Sequence, residues 1–248
     1  MYFKQKGDAK LSTYYTAASE ASNSESSAYN RGADIQAAYA LTNHIAVSAA
    51  ALTRKEKDVF LEDPGSMYSR TTVKYNRKLA EAGLGYFEDL NSRGKAGFTF
   101  FAGMGFGKFD CTDKGWRDRQ NPMPYERVYE SRVRKFYFQP GLNINPGGHF
   151  RMSMIHRFSF IHFGKVSTTY SETEADNLSL GRIDDQSLYF GETTFSMQVG
   201  LGRLQWLALE GSLSLNSQPD MSGNDLRARG PSVSVGICLN RPRKLAKP

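Results

Sequence analysis

Between residues 94 and 109 the chain reads GKAGFTFFAGMGFGKF, and a period of two puts Phe98, Phe100, Ala102, Met104 and Phe106 on one face of a strand. Thr99, Phe101, Gly103, Gly105 and Gly107 fall on the other. The same alternation recurs along the chain and predicts strands over 9–19, 33–42, 44–54, 77–88, 95–109, 128–143, 149–166, 187–201, 204–216 and 231–239. Thr42-Asn43-His44, Asn91-Ser92-Arg93-Gly94, Asn145-Pro146-Gly147-Gly148 and Gly202-Arg203 are turn sequences that join alternate pairs. The other connections are polar and longer, at 22–31, 55–75, 110–127, 167–186 and 217–230. About ten strands with short turns at one end and long loops at the other predict an all-β, closed antiparallel up-and-down transmembrane β-barrel, its turns periplasmic and its loops extracellular. A soluble β-sandwich has no reason to gather its long connections at one end.

Carrying the alternation through the turns gives an outward apolar belt. It holds Leu84 and Tyr86, Phe136 and Phe138, Phe150, Met152, Met154, Phe158 and Phe160. Phe195, Met197, Val199, Leu201, Leu207, Leu209, Leu213, Leu215, Val233, Val235 and Ile237 continue it. Tyr39, Tyr86 and Tyr189 sit near strand ends, where an aromatic ring meets the membrane–water interface. The mean hydropathy of −0.52 does not oppose this, because only alternate strand residues of a barrel face lipid. No run approaches the roughly 20 apolar residues of a membrane helix.

Residues 1–240 are read as one barrel and 241–248, with Arg241, Arg243, Lys244 and Lys247, as a basic periplasmic tail. The opening MYFKQKGDAKLSTYY has no apolar core of a signal peptide, so export to the outer membrane requires a leader absent from this chain. Cys111 and Cys238 are read as two unpaired thiols without metal-ligand spacing.

Lys6-Gly7-Asp8, ADIQAAYALTNHIAV (33–47), AEAGLGYF (80–87), FAGMGFG (101–107) and RKFYFQPGLN (134–143) together resemble the outer-membrane β-barrel proteins of Bacteroides-type bacteria that are often predicted as lipoproteins. The likeness covers most strands and no loop. It implies a Gram-negative cell-envelope barrel, while the lipobox cysteine of that pattern is missing here.

The inward faces carry the chemistry. Asp34, Glu81, Lys135, Arg157 and Glu192 are predicted to form one charged layer. Glu81, Lys135, Arg157 and Glu192 each lie about eleven residues above a tight turn at about 3.3 Å per residue, with Asp34 slightly lower. Gln36, Gln139, Arg151, Gln198 and Glu210 are further lumen residues. Charges in a narrow lumen must pair with one another or with water, so the simpler reading is a structural plug. The alternative is a selective conduit or acid–base site using Glu81 or Glu192 with Arg157. The glycines at 103, 105 and 107 are read as clearance for long side chains, notably Lys135 and Arg157, because no helix follows to make a phosphate loop.

His156 and His162 lie six residues apart on one strand, about 20 Å, too far for a shared metal. No metal, cofactor or catalytic residue is expected. Asp110, Asp113, Asp118, Glu172, Glu174, Asp176, Asp184 and Asp185 leave open a rim-sited hydrolase, an omptin-like protease or lipid-modifying enzyme. Asn177-Leu178-Ser179 matches a short glycosylation pattern that recurs by chance. The net charge of +7 has no nucleic-acid motif beside it, so no nucleic-acid partner is expected. Arg117, Arg119, Arg127 and Arg132 are instead candidates for facing lipopolysaccharide phosphates at the rim. The expected role is a non-enzymatic barrel with a constricted polar lumen, whose loops engage another outer-membrane protein. A narrow small-solute channel is the second expectation.

Overall fold

The computed structural model describes residues 3–20, 26–61, 68–91, 94–117, 123–147, 149–172, 187–202, 204–217 and 231–240. They form ten strands: β1 (Ala9–Glu20), β2 (Ser26–Ala40), β3 (Ile45–Leu61), β4 (Tyr68–Asp89), β5 (Ala96–Arg117), β6 (Met123–Gly147), β7 (Phe150–Thr168), β8 (Ser187–Leu201), β9 (Leu204–Ser217) and β10 (Ser232–Asn240). Each pairs antiparallel with its sequence neighbours, and β1 pairs with β10 from Lys10↔Asn240 to Ala17↔Val233. The sheet is therefore a closed up-and-down barrel with no free edge.

Alternation sorts the side chains as expected. Phe100, Met104, Phe106, Phe136, Met154, Phe195, Leu209, Val235 and Ile237 are exposed on the outer surface. Thr99, Phe101, Tyr137, Gln198 and Glu210 are buried inside. So many exposed large apolar side chains make sense only where the outer solvent is lipid. At the tight turns the Thr42 hydroxyl accepts the Ile45 amide at 2.9 Å, and Asn91 Oδ1 accepts the Lys95 amide at 2.8 Å. Gly147 turns with φ +122°, a conformation open to glycine.

Three predicted loops are partly strand. β3 runs to Leu61 and β4 begins at Tyr68; β5 runs to Arg117 and β6 begins at Met123; β2 begins at Ser26. Above the belt both faces are polar, so hydropathy alternation fades while ladder hydrogen bonds still satisfy the backbone. The basic tail at 241–248, the sequon at Asn177 and the acids Asp118, Glu174, Asp176, Asp184 and Asp185 lie outside the described residues.

The lumen is not polar throughout. Tyr75, Phe109, Cys111, Tyr129, Phe163 and Leu188 form an apolar cluster toward the end opposite the tight turns. A second cluster toward the tight-turn end gathers Ala38, Ala40, Ala46, Phe87, Phe101 and Tyr137 around Phe3. The segment before β1 folds back to deliver Phe3. Lys4 and Gln5 amides donate to Asp8 Oδ2 at 2.8 and 3.3 Å, and Lys6 donates to Asn43 Oδ1 at 3.0 Å. Phe3, only 3% exposed, lies with its ring centroid 5.2 Å from that of Phe87. Losing this anchor frees the segment, so Phe3→Ala is expected to open trypsin cleavage after Lys4 and Lys6 in the folded barrel. Unchanged protection would show that the docked ring does not hold the segment.

Candidate functional site

Long side chains meet across the lumen because glycine leaves the strand between them bare. Glu81 of β4 is in register with Gly105 of β5, and Gly105 with Lys135 of β6. With no side chain at Gly105, Lys135 Nζ reaches Glu81 Oε1 at 2.7 Å over two strand spacings. Arg157 of β7 donates to Glu81 Oε2 at 3.0 Å and, through Nε, to Gln139 Oε1 at 2.7 Å. Both cations lie over the Tyr137 ring, Arg157 at 4.8 Å and Lys135 at 5.9 Å from its centroid. Glu81, its side chain 2% exposed, is held by two charge-assisted bonds.

Tyr137 is the residue that pattern reading missed. It stands in a register row with Gly103, Gly83 and Ser48, and its hydroxyl crosses both glycines to hydrogen-bond with Ser48 of β3. A Cβ at Gly83 would lie 2.4 Å from that hydroxyl oxygen. The clearance expected for Lys135 and Arg157 therefore serves Tyr137 at Gly103 and Gly83. At Gly105 the nearest atom to a Cβ is Glu81 Cγ, at 3.0 Å.

Glu192 stands at the height of the expected layer without an ion pair, and Asp34 bonds elsewhere. Glu192 is in register with Arg157 and attracts both cations electrostatically, but its carboxylate accepts the Thr194 hydroxyl at 3.0 Å and makes no direct ion pair among the described residues. Asp34 joins a different group: both its oxygens accept from Arg54 of β3, at 2.5 and 2.7 Å. Arg54 is in register with Gly32, whose bare backbone lets the guanidinium reach along β2 to Asp34. Arg77 pairs with Glu56 at 3.3 Å and lies over Phe109, 5.5 Å from its centroid.

Glu210 also has a partner that pattern reading passed over. Lys10 of β1 donates to it at 2.6 Å, and the Cys238 thiol donates at 2.7 Å. Neither Cys238 nor Cys111 is in a disulfide, and both are buried. Gln198 is in register with Glu210 on one side and with Arg151 on the other. Gln36 lines the chamber.

The opposite wall is built of hydroxyls. Thr16 bonds Ser234 at 2.7 Å and Thr194 bonds Ser214 at 2.8 Å, with Ser196 and Ser212 beside them. Between this wall and the ion pairs lies a cavity of about 320 Å³. Apolar clusters bound it toward each end of the barrel.

Among the remaining candidates, Arg132 is exposed on the outer surface and Arg127 is half-buried. Of Arg117 only the backbone is described, and Arg119 lies outside the described residues. His156 points outward, its Nδ1 2.7 Å from the Thr193 hydroxyl. Two rim acids already have partners. Asp110 accepts from Asn76 at 3.4 Å, and Asp113 accepts the Tyr125 and Tyr170 hydroxyls, each at 3.2 Å. Burial and the facing Asp113 push the Tyr170 hydroxyl above the usual phenol range. Among the described residues no three His, Cys, Asp or Glu are grouped to hold a metal.

A closed antiparallel barrel of ten strands, apolar outside and ion-paired inside, defines the architecture of outer-membrane β-barrels. The solved translocator domain of the autotransporter NalP from Neisseria meningitidis is similar to it, with a TM-score of 0.54 and 10% identity over 94% of this chain and 88% of that one. An outer membrane channel from Pseudomonas putida F1 matches at 0.45 and 10% identity, covering 95% and 96%. The outer membrane protease OmpT from Escherichia coli matches at 0.45 and 12%, covering 97% and 96%. The likeness is one of fold. No family model and no curated protein matches the chain.

Proposed function

We propose that this chain is a non-enzymatic, integral outer-membrane barrel with a closed lumen, a structural or accessory component whose surface loops engage another outer-membrane protein. It belongs, on this reading, with the Bacteroides-type barrels it resembles. One observation carries the proposal. The Glu81, Lys135, Arg157 and Tyr137 layer ties β4 to β7 across one side of the mid-lumen, and apolar clusters around Phe109 and Phe3 lie in the lumen on either side of it. An ion entering would have to pass these apolar side chains and a layer of charges already paired with one another, which costs desolvation.

Planar-bilayer recording of the refolded protein is expected to show negligible conductance. Steady, ion-selective steps from the unmodified chain would overturn the closed-lumen reading. They would favour a narrow small-solute channel, which has its own support in the hydroxyl wall of Thr16, Ser234, Thr194 and Ser214 beside the charged layer.

A further inference from the structure

On five consecutive strands, β2 to β6, the first charged side chain above the apolar belt on the outer face is a cation. These are Arg31, Lys55, Lys78, Lys108 and Arg134. Lys78, Lys108 and Arg132 stand directly opposite one another across β4, β5 and β6, all exposed. Like charges in direct cross-strand register repel, and none of these three has an acidic partner within salt-bridge distance among the described residues. The nearest outward acids, Asp110 and Glu130, occupy the next register row on the loop side. Just below the row lie Ala80, Phe106 and Arg134, and one row further down Met104 and Phe136; Phe106, Met104 and Phe136 are exposed. The opposite wall, β8 to β10, carries no outward cation among the described residues.

We infer that this face of β4 to β6 binds an outer-leaflet phosphoglycolipid, with phosphates on Lys78, Lys108 and Arg132 and acyl chains against Phe106 and Phe136. The match is of charge and of height: an amphiphile with a multiply phosphorylated head and several acyl chains presents anions directly above apolar surface. Neighbouring strands are about 4.8 Å apart, so the three cations span on the order of 10 Å, a width suited to a headgroup bearing more than one phosphate. This rests on the outer-membrane reading. Of the four arginines expected to face lipopolysaccharide it keeps Arg132, and it adds Lys78 and Lys108 beside it at the edge of the belt.

The test is co-purification and native mass spectrometry of the refolded barrel in mild detergent. The probes are bis-phosphorylated lipid A, the same lipid with both phosphates removed, and phosphatidylcholine. Wild-type protein is expected to retain the bis-phosphorylated lipid selectively. The triple variant Lys78→Gln, Lys108→Gln, Arg132→Gln is expected to lose at least about tenfold of that retention while holding the other two lipids as before. Lys114→Gln serves as the control, because that ammonium already pairs with Glu126 at 2.8 Å. Equal retention of the dephosphorylated lipid, or an unaffected triple variant, would overturn the inference. A heat-modifiable gel shift in every sample separates this from failure of the barrel reading: a protein that shows no shift and does not insert into bilayers refutes the membrane assignment itself.

Discussion

Replacing Glu81 with alanine is expected to destabilise the barrel by about 3 kcal/mol, within the range for removing one partner from a buried ion pair. Its carboxylate is the shared acceptor for Lys135 at 2.7 Å and Arg157 at 3.0 Å. Without it two cations remain in one layer over the Tyr137 ring, and Lys135 is buried. Arg157 keeps its bond to Gln139 and its side chain is 24% exposed to the chamber, which holds the loss toward the lower end. The double variant Glu81→Gln, Lys135→Met is expected to recover part of the loss, because it removes a charge together with its partner. Urea unfolding in detergent, followed by the heat-modifiable gel shift, gives both numbers. A single variant within about 0.5 kcal/mol of the parent would mean that water screens the layer, and the conduit reading would gain.

The barrel was legible because lipid outside and a packed lumen inside leave a strict period of two in the sequence. Heights were legible too: counting residues from Asn91, Asn145 and Gly148 brings Glu81, Lys135 and Arg157 to one level, where they bond. Which charges pair at that level was not. That depends on bare backbone between strands, as at Gly105 for Glu81 with Lys135 and at Gly32 for Asp34 with Arg54. Lys10 escaped notice for a related reason. Its partner Glu210 is 200 residues away and becomes a neighbour only when β1 closes onto β10 beside β9. Phe3 precedes the first strand, so no alternation marks it as a lumen residue. The upper halves of β3 to β6 were hidden because a strand polar on both faces looks like a loop.

Gly83→Ala and Gly103→Ala are both expected to destabilise the barrel, by about 2 to 3 kcal/mol each, the upper part of the range for overpacking, yet only the first is expected to be rescued by Tyr137→Phe. At Gly83 the nearest obstacle to a Cβ is the Tyr137 hydroxyl oxygen at 2.4 Å, with the next contacts at 3.0 Å. Removing that oxygen leaves small adjustments. At Gly103 the nearest obstacle is the Ala82 carbonyl oxygen at 2.2 Å, which belongs to the adjoining backbone of β4. No side-chain change moves it without disturbing the β4–β5 ladder, so Gly103→Ala, Tyr137→Phe stays destabilised. Neither glycine has a positive φ, so space rather than conformational freedom fixes both positions. Midpoints of the heat-modifiable shift for the two single and two double variants decide the matter. Rescue of both positions by Tyr137→Phe would show that the hydroxyl alone crowds the pair. Rescue of neither would place the crowding in the strands, and Tyr137 would then be filling space that the backbone already provides.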